Sequence, residues 1–150
     1  MEIFKVFFQP LVIAIGLMIG LYQYGRQQKF KRLQNLSLLW KGFTDNEQIL
    51  TFFNLMNEIE NGNGTMTTQL ENYDTNTKLK YMALLEEVSL YVAEFEVDKE
   101  YAKYLFQWHF YFPYQSVCTS AAFWKNIGGA EEMNASYWQH SHQLSSAFKP

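Results

Sequence analysis

The stretch VFFQPLVIAIGLMIGLYQYGRQQKFKR, residues 6–32, passes without a break from an apolar segment into a basic one. Between Val6 and Tyr24 the clearly polar residues are Gln9 and Gln23. A helix of this length measures about 28 Å, which is close to the thickness of the hydrocarbon core of a bilayer. The pattern therefore predicts a single N-terminal transmembrane helix, with residues 1–32 forming the anchor and its basic flank.

The charges on the two sides of this segment predict its orientation. Arg26, Lys29, Lys31 and Arg32 follow the apolar run, whereas Lys5 precedes it. Basic residues are retained on the cytosolic side of a membrane. We therefore expect the N-terminus outside, the rest of the chain at the cytosolic face of a bacterial inner membrane, and the four basic residues in contact with lipid headgroups.

Two other interpretations explain the segment less well. A cleaved signal peptide carries its positive charge before the apolar run and small residues after it, and this chain has the reverse order. A helix that is apolar on all sides can also be buried in a soluble protein, but it then needs a large surrounding core. The part of the chain that follows residue 32 is small for that purpose.

Gly16 and Gly20 form a GxxxG pair, and together with Ala14 they make one side of the helix thin. Such a side allows a second helix to approach closely, which predicts self-association through a helix–helix contact. Glycine is also common in membrane helices in general, so the isolated pair does not by itself require a partner.

The net charge of residues 33–150 limits the classes of partner that this part of the chain can bind. Seven basic and fourteen acidic residues follow Arg32, so this part of the chain has a net charge near −7. An acidic domain repels the phosphates of nucleic acid, and the predicted partners are membrane lipid and another protein or a second copy.

Cys118 is the single cysteine in the sequence, so stability does not depend on an intramolecular disulfide.

Apolar residues recur at intervals of three and four through residues 33–150, which predicts a compact bundle of about five helices. The expected fold class is therefore all-α, a transmembrane helix followed by this bundle. The local signals are a capping box from Thr44 to Glu47, a loop over residues 62–77, a cap at Asp98, a break at Pro113, a stop at Gly128 and Gly129, and a last helix that directs Met133, Tyr137 and Leu144 inward.

Glu86 lies on an apolar stripe of the central predicted helix, one turn from Met82 and from Leu90. A partly buried carboxylate requires a partner or has a raised pKa, which is one way to make a general acid or base. A structural carboxylate bonded to a side chain of another helix has the same pattern. The second interpretation is favoured, because no other catalytic group stands at a fixed spacing from Glu86.

Aromatic residues crowd the helix predicted near residues 101–114, on more sides than one core-facing stripe requires. Some of these side chains are expected to form an interaction patch. The candidates are Tyr104, Trp108, Tyr111 and Tyr114.

No known catalytic, cofactor-binding or metal-binding motif occurs in the sequence. His140 and His142 point to different sides of a helix, which suits no common metal site. His109 among aromatic residues is expected to be a packed side chain or a weak hydrogen-bond donor, and Cys118 is expected to be a buried, inert thiol. We expect no catalytic residue, cofactor or metal, and a binding role is the favoured class.

The segment LLEEVSLYVAEFEVDKEYAKYLFQWHF, residues 84–110, resembles an uncharacterised bacterial family, a domain of unknown function with one N-terminal membrane helix and a small helical domain. In that family a leucine-rich helix carries an inward glutamate and is followed by an acidic cap, and Glu86 and Asp98 are similar to these two residues. The resemblance implies a fold and no known activity.

These observations predict a membrane-anchored protein-interaction or scaffold protein at the cytosolic face. Two alternatives remain open at this level. One is a membrane-active effector that self-assembles through its transmembrane helix. The other is an enzyme that uses Glu86 as an acid or base.

Overall fold

The computed structural model describes residues 2–95, 97, 99–127 and 138–148, with side chains described from Pro10 onward. All regular secondary structure within these residues is helical. The predictions for Asp98, Gly128, Gly129, Met133 and Tyr137 fall outside the described residues.

Seven α-helices and one short 3-10 turn follow one another along the described chain. They are α1 (Glu2–Thr44), α2 (Glu47–Glu60), the 3-10 turn (Gly64–Met66), α3 (Thr67–Glu71), α4 (Thr75–Glu94), α5 (Lys99–Tyr114), α6 (Ser120–Trp124) and α7 (Gln139–Ala147).

The predicted transmembrane helix is not found. Across the described residues, no helix combines the length and the apolar character needed to cross a bilayer. The predictions of a single-pass span and of an inner-membrane location that followed from it were therefore wrong.

The chain divides into two compact units, Met1–Asn35 and Leu36–Pro150. Helix α1 continues through this boundary without a break and ends at Thr44. The first unit consists of helix α1 up to Asn35. The second unit contains the last turns of α1 and the other described helices, and its described core begins at Leu36.

The boundary between α1 and α2 differs from the predicted capping box. Thr44 remains in α1, where its hydroxyl donates to the carbonyl of Trp40 at 3.4 Å. Asn46 is the N-cap of α2, because its Oδ1 accepts from the backbone N–H groups of Gln48 and Ile49 at 3.1 and 3.3 Å. The extra turn of α1 shifts the start of α2 two residues along the chain.

The predicted loop over residues 62–77 contains short helices instead. The 3-10 turn and α3 occupy most of it, and Leu70 of α3 is fully buried. Asp74 then caps α4, since its carboxylate accepts from the backbone N–H and the hydroxyl of Thr77 at 2.9 and 2.8 Å. The Asn, Gly and Thr residues of this segment are helix ends, which explains its loop-like composition.

Helix α4 lies at the centre of the second unit and packs against α2, α5 and α7. Its buried apolar side chains are Tyr81, Met82, Leu85, Val88 and Val92. Gly42 of α1 allows a close approach to this helix, because a Cβ atom at Gly42 would lie 3.2 Å from Cδ2 of Leu84. The core around α4 is strongly aromatic, with Phe43, Phe52 and Phe106 fully or almost fully buried.

Candidate functional site

The first unit exposes a long apolar surface on α1. Its large apolar residues between positions 11 and 24 are each 45% to 72% exposed. They are Leu11, Val12, Ile13, Ile15, Leu17, Met18, Ile19, Leu21, Tyr22 and Tyr24. Their joint exposed area is on the order of 1,000 Å², whereas monomeric proteins rarely expose apolar patches larger than a few hundred Å².

The small residues that were predicted to contact another helix lie on this exposed surface. Ala14, Gly16 and Gly20 are exposed, and a Cβ atom added at either glycine would have no heavy atom within 4 Å. The space beside both glycines is therefore open to a neighbouring helix. The contact between helices predicted for these three residues stays a prediction.

The predicted basic cluster continues the same helix. Arg26, Lys29 and Lys31 are exposed, and Arg32 is half-buried. Between the basic side chains, Gln23, Gln27, Phe30 and Gln34 line a shallow concave strip along α1. The lipid-headgroup contact of the basic residues was derived from the predicted span, and nothing in the structure bears on it.

Glu86 is largely covered, with its side chain 14% exposed, and both of its carboxylate oxygens have partners on α7. Oε1 lies 2.7 Å from Nδ1 of His140, and Oε2 accepts from the backbone N–H of Ser141 at 2.9 Å. Ser141 is in the first turn of α7, where N–H groups have no partner within the helix. The carboxylate of α4 thus caps the N-terminus of α7.

A second polar contact strengthens this junction. The hydroxyl groups of Tyr114 and Ser141 lie 2.6 Å apart, and the ring of Tyr114 contacts His142. Burial and the nearby charge of Glu86 raise the pKa of Tyr114, although its bond to Ser141 acts in the opposite direction. Tyr114 therefore stays neutral, and α4, α5 and α7 meet in one hydrogen-bonded group.

The four aromatic residues predicted as an interaction patch separate into two pairs. Tyr104 and Trp108 are 77% and 46% exposed on α5. Tyr111 instead donates to Oε1 of Glu60 at 3.0 Å, a bond that raises the pKa of the phenol, and Tyr114 bonds to Ser141. Half of the predicted patch is thus used inside the second unit.

Lys78 is a buried polar residue that the sequence patterns did not reveal. Its side chain is fully buried, and Nζ donates to the carbonyls of Glu71, Ala122 and Lys125 at 3.0, 3.3 and 3.0 Å. These carbonyls lie at the C-terminal ends of α3 and α6, where positive charge is stabilising. The sequence feature that could have indicated the burial of Lys78 is its place on the apolar stripe of α4, three residues before Tyr81 and four before Met82.

His109 lies in the aromatic core, in ring contact with Phe43 and Phe53 at centroid distances of 4.4 and 4.2 Å. Burial lowers its pKa to about 3, and burial also raises the pKa of Tyr81. The imidazole is therefore neutral, and its Nδ1 and the Tyr81 hydroxyl form a hydrogen bond of 2.8 Å. The packed histidine predicted from the sequence thus also forms a buried hydrogen bond.

The described residues contain no group of three or more His, Cys, Asp or Glu side chains placed to hold a metal ion. Cys118 was predicted to be buried, but it is exposed at the turn before α6. Its backbone N–H donates to Oγ of Ser116, which also bonds to Glu60.

No protein-family model matches this chain, and comparisons with curated proteins and with solved structures return no match. The resemblance to an uncharacterised bacterial family therefore stays a prediction.

Proposed function

We propose that this chain is a helical protein-interaction domain, and that its binding surface is the exposed apolar segment of α1, residues 11–24. The observation that carries the proposal is the area of that segment. The summed exposed apolar area of these residues, on the order of 1,000 Å² over all sides of the helix, exceeds the roughly 800 Å² that each partner contributes to a stable protein–protein interface. A partner that binds one side of α1 removes part of that surface from water.

The second unit supports this role as a scaffold. It has its own buried core, from Leu36 to Phe148, and its helix ends are tied by Glu86, Lys78 and Asp74. An enzymatic role for Glu86 is not favoured, because both carboxylate oxygens already bond to α7.

The proposal is tested by affinity capture of the tagged full chain from the cells that express it, followed by mass spectrometry. The test variant carries Leu17→Gln, Ile19→Gln and Leu21→Gln in α1. The matched control carries the same type of change at exposed apolar positions of the second unit, Leu50→Gln, Leu90→Gln and Val117→Gln.

The native chain and the control are expected to retain a defined protein, either another copy or a different chain. The α1 variant is expected to lose it, since amide side chains remove the apolar driving force. Equal retention by the α1 variant, or no retained protein at all, would contradict the proposal. Circular dichroism verifies that both variants keep their helix content.

A further inference from the structure

We propose that Asn63 is a site of spontaneous covalent modification, at which the side-chain amide is lost and an aspartyl or isoaspartyl residue forms. The site lies in the second unit, between α2 and the 3-10 turn, where residues 61–64 contain two consecutive Asn-Gly pairs. The structure distinguishes the two pairs. The inference goes beyond the proposed function and does not depend on the surface of α1.

The reaction begins when a backbone nitrogen attacks the side-chain amide of the preceding asparagine. The nitrogen forms a bond to Cγ and closes a cyclic imide, the bond between Cγ and Nδ2 breaks, and the proton of the attacking nitrogen leaves with the amide group as ammonia. Water then adds to either carbonyl of the imide and opens the ring, which gives aspartate or isoaspartate. A following glycine favours this attack, because it has no Cβ to shield the nitrogen or to restrict the chain.

Asn61 is held in the end of α2. Its backbone N–H and its Nδ2 both donate to the carbonyl of Asn57, at 3.0 and 2.8 Å. The attacking nitrogen of this pair would be that of Gly62, whose N–H donates to the carbonyl of Ile59 at 3.1 Å. Since Ile59 is buried in the core, attack at Asn61 requires the last turn of α2 to unfold.

The side chain of Asn63 is exposed, and its partners lie within the next three residues. Oδ1 accepts from the hydroxyl of Thr65 at 2.7 Å, and Nδ2 lies 3.4 Å from Sδ of Met66, a weak acceptor. Gly64 begins the 3-10 turn, so its N–H has no acceptor within that turn, and it donates to no other described residue. The attacking nitrogen of this pair is therefore available.

The reactive arrangement at Asn63 requires only a local rearrangement. The ψ angle of Asn63 is 59°, which directs the nitrogen of Gly64 away from Cγ, so the bond between Cα and the carbonyl carbon must rotate before attack. This rotation breaks the bond from the Met66 N–H to the Asn63 carbonyl, and the 3-10 turn contains no buried residue. The reaction therefore follows the opening of one exposed turn rather than the unfolding of the second unit.

The two products differ in their effect on this junction. Asn63 is the N-cap of the 3-10 turn, and an aspartate there adds a negative charge beside the first N–H groups of the turn, where a carboxylate is stabilising. An isoaspartate instead inserts an extra carbon atom into the main chain. The isoaspartyl product is therefore expected to lose the 3-10 turn and to keep α2 and α4.

The test is incubation of the purified full chain for several weeks at physiological temperature, at mildly acidic and at mildly alkaline pH. Peptide mass spectrometry detects the modified residue, because deamidation raises the mass by about 1 Da, and fragmentation assigns it to Asn61 or Asn63. The test variant is Gly64→Ala, since a Cβ atom at this position has no heavy atom within 4 Å. The matched control is Asn61→Gln, which removes the first Asn-Gly pair and leaves the second.

In the native chain we expect Asn63 to react at least about fivefold faster than Asn61, and faster at alkaline pH, because attack needs a deprotonated nitrogen. Gly64→Ala is expected to slow the reaction at Asn63 by about tenfold or more, and Asn61→Gln to leave it unchanged. An equal or faster reaction at Asn61, no reaction at Asn63, or an unchanged rate in Gly64→Ala would overturn the proposal. Capture through α1 is measured with other variants, so each of these results leaves the proposed function to its own test.

Discussion

At the scale of single residues, the ammonium group of Lys78 joins the ends of two short helices. Replacement by methionine keeps most of the apolar stem but leaves the carbonyls of Glu71, Ala122 and Lys125 without their common donor. We expect Lys78→Met to lower the free energy of unfolding by about 2 kcal/mol, because buried carbonyls then lack partners. Urea unfolding measures the difference, and the exposed Lys80→Met should change it little.

The lowered pKa of Lys78 predicts that the free energy of unfolding depends on pH in the alkaline range. Burial lowers the pKa of Lys78 to about 8 from 10.5, and the charge of Glu71 opposes that shift only in part. Between pH 8 and 10.5 the unfolded chain therefore binds more protons at this residue than the folded chain, so its contribution to stability rises with pH. The native chain should gain stability relative to Lys78→Met from pH 8 to 10, and a constant difference over that range would contradict the assignment.

The lowered pKa of His109 predicts that the free energy of unfolding decreases at acidic pH. Its pKa in the folded chain is about 3, below the ordinary value of 6.5, so the unfolded chain binds the extra proton between these values. The stability associated with neutral His109 is complete above pH 6.5 and is lost as the pH falls, by up to about 1.4 kcal/mol per pH unit. Urea unfolding should show that the free energy of unfolding falls less from pH 6.5 to 4.5 in His109→Phe than in the native chain. An equal decrease in the two proteins would contradict the assignment of this loss to His109.

At the scale of elements, α7 depends on a cap supplied by another helix. Glu86→Ala removes the acceptor for Ser141 N–H and the partner of His140, and we expect a loss of about 1 kcal/mol. Hydrogen exchange, read by mass spectrometry, should accelerate in α7 more than in α2. Glu87→Ala is the matched control, because its side chain is exposed on the same helix. Unchanged exchange in α7 would show that the cap is dispensable.

The limits of prediction from sequence are visible in these elements. The apolar repeat of α2, with Ile49, Phe52 and Met56 buried, identified that helix directly. The start of α2 was predicted two residues too early. Thr44 and Asn46 are both good caps, and the packing of the last turn of α1 determines which of them begins α2. Helix α3 was missed because five residues carry too little periodicity, and the burial of Leu70 depends on distant contacts.

At the scale of the whole molecule, the exposed basic residues predict where the two units can be separated. Limited trypsin digestion should cut first after Arg26, Lys29 or Lys31, which are exposed. The described core begins at Leu36, so the C-terminal fragment should keep a cooperative thermal transition by circular dichroism. A fragment without a cooperative transition would show that the second unit needs the first.

The prediction of a transmembrane span failed at this scale. The sequence shows an apolar run beside basic residues, but among the described residues no helix is long and apolar enough to cross a bilayer. The predicted inward position of Glu86 required only the helical repeat. Its partners His140 and Ser141 lie 54 and 55 residues away, and such pairings follow from the packing of α4 against α7 rather than from any local pattern.

The polar bonds of the second unit also have a consequence for the order of events in folding. Lys78 bonds to Lys125 across 47 residues, and Glu86 bonds to Ser141 across 55. Closing loops of this length costs conformational entropy before the bonds form, so these contacts belong late on the folding pathway. We therefore expect α6 and α7, which these long-range bonds tie to α4, to become stable after α2, α4 and α5 have collapsed. Folding is expected to be slower than in a bundle of purely local contacts.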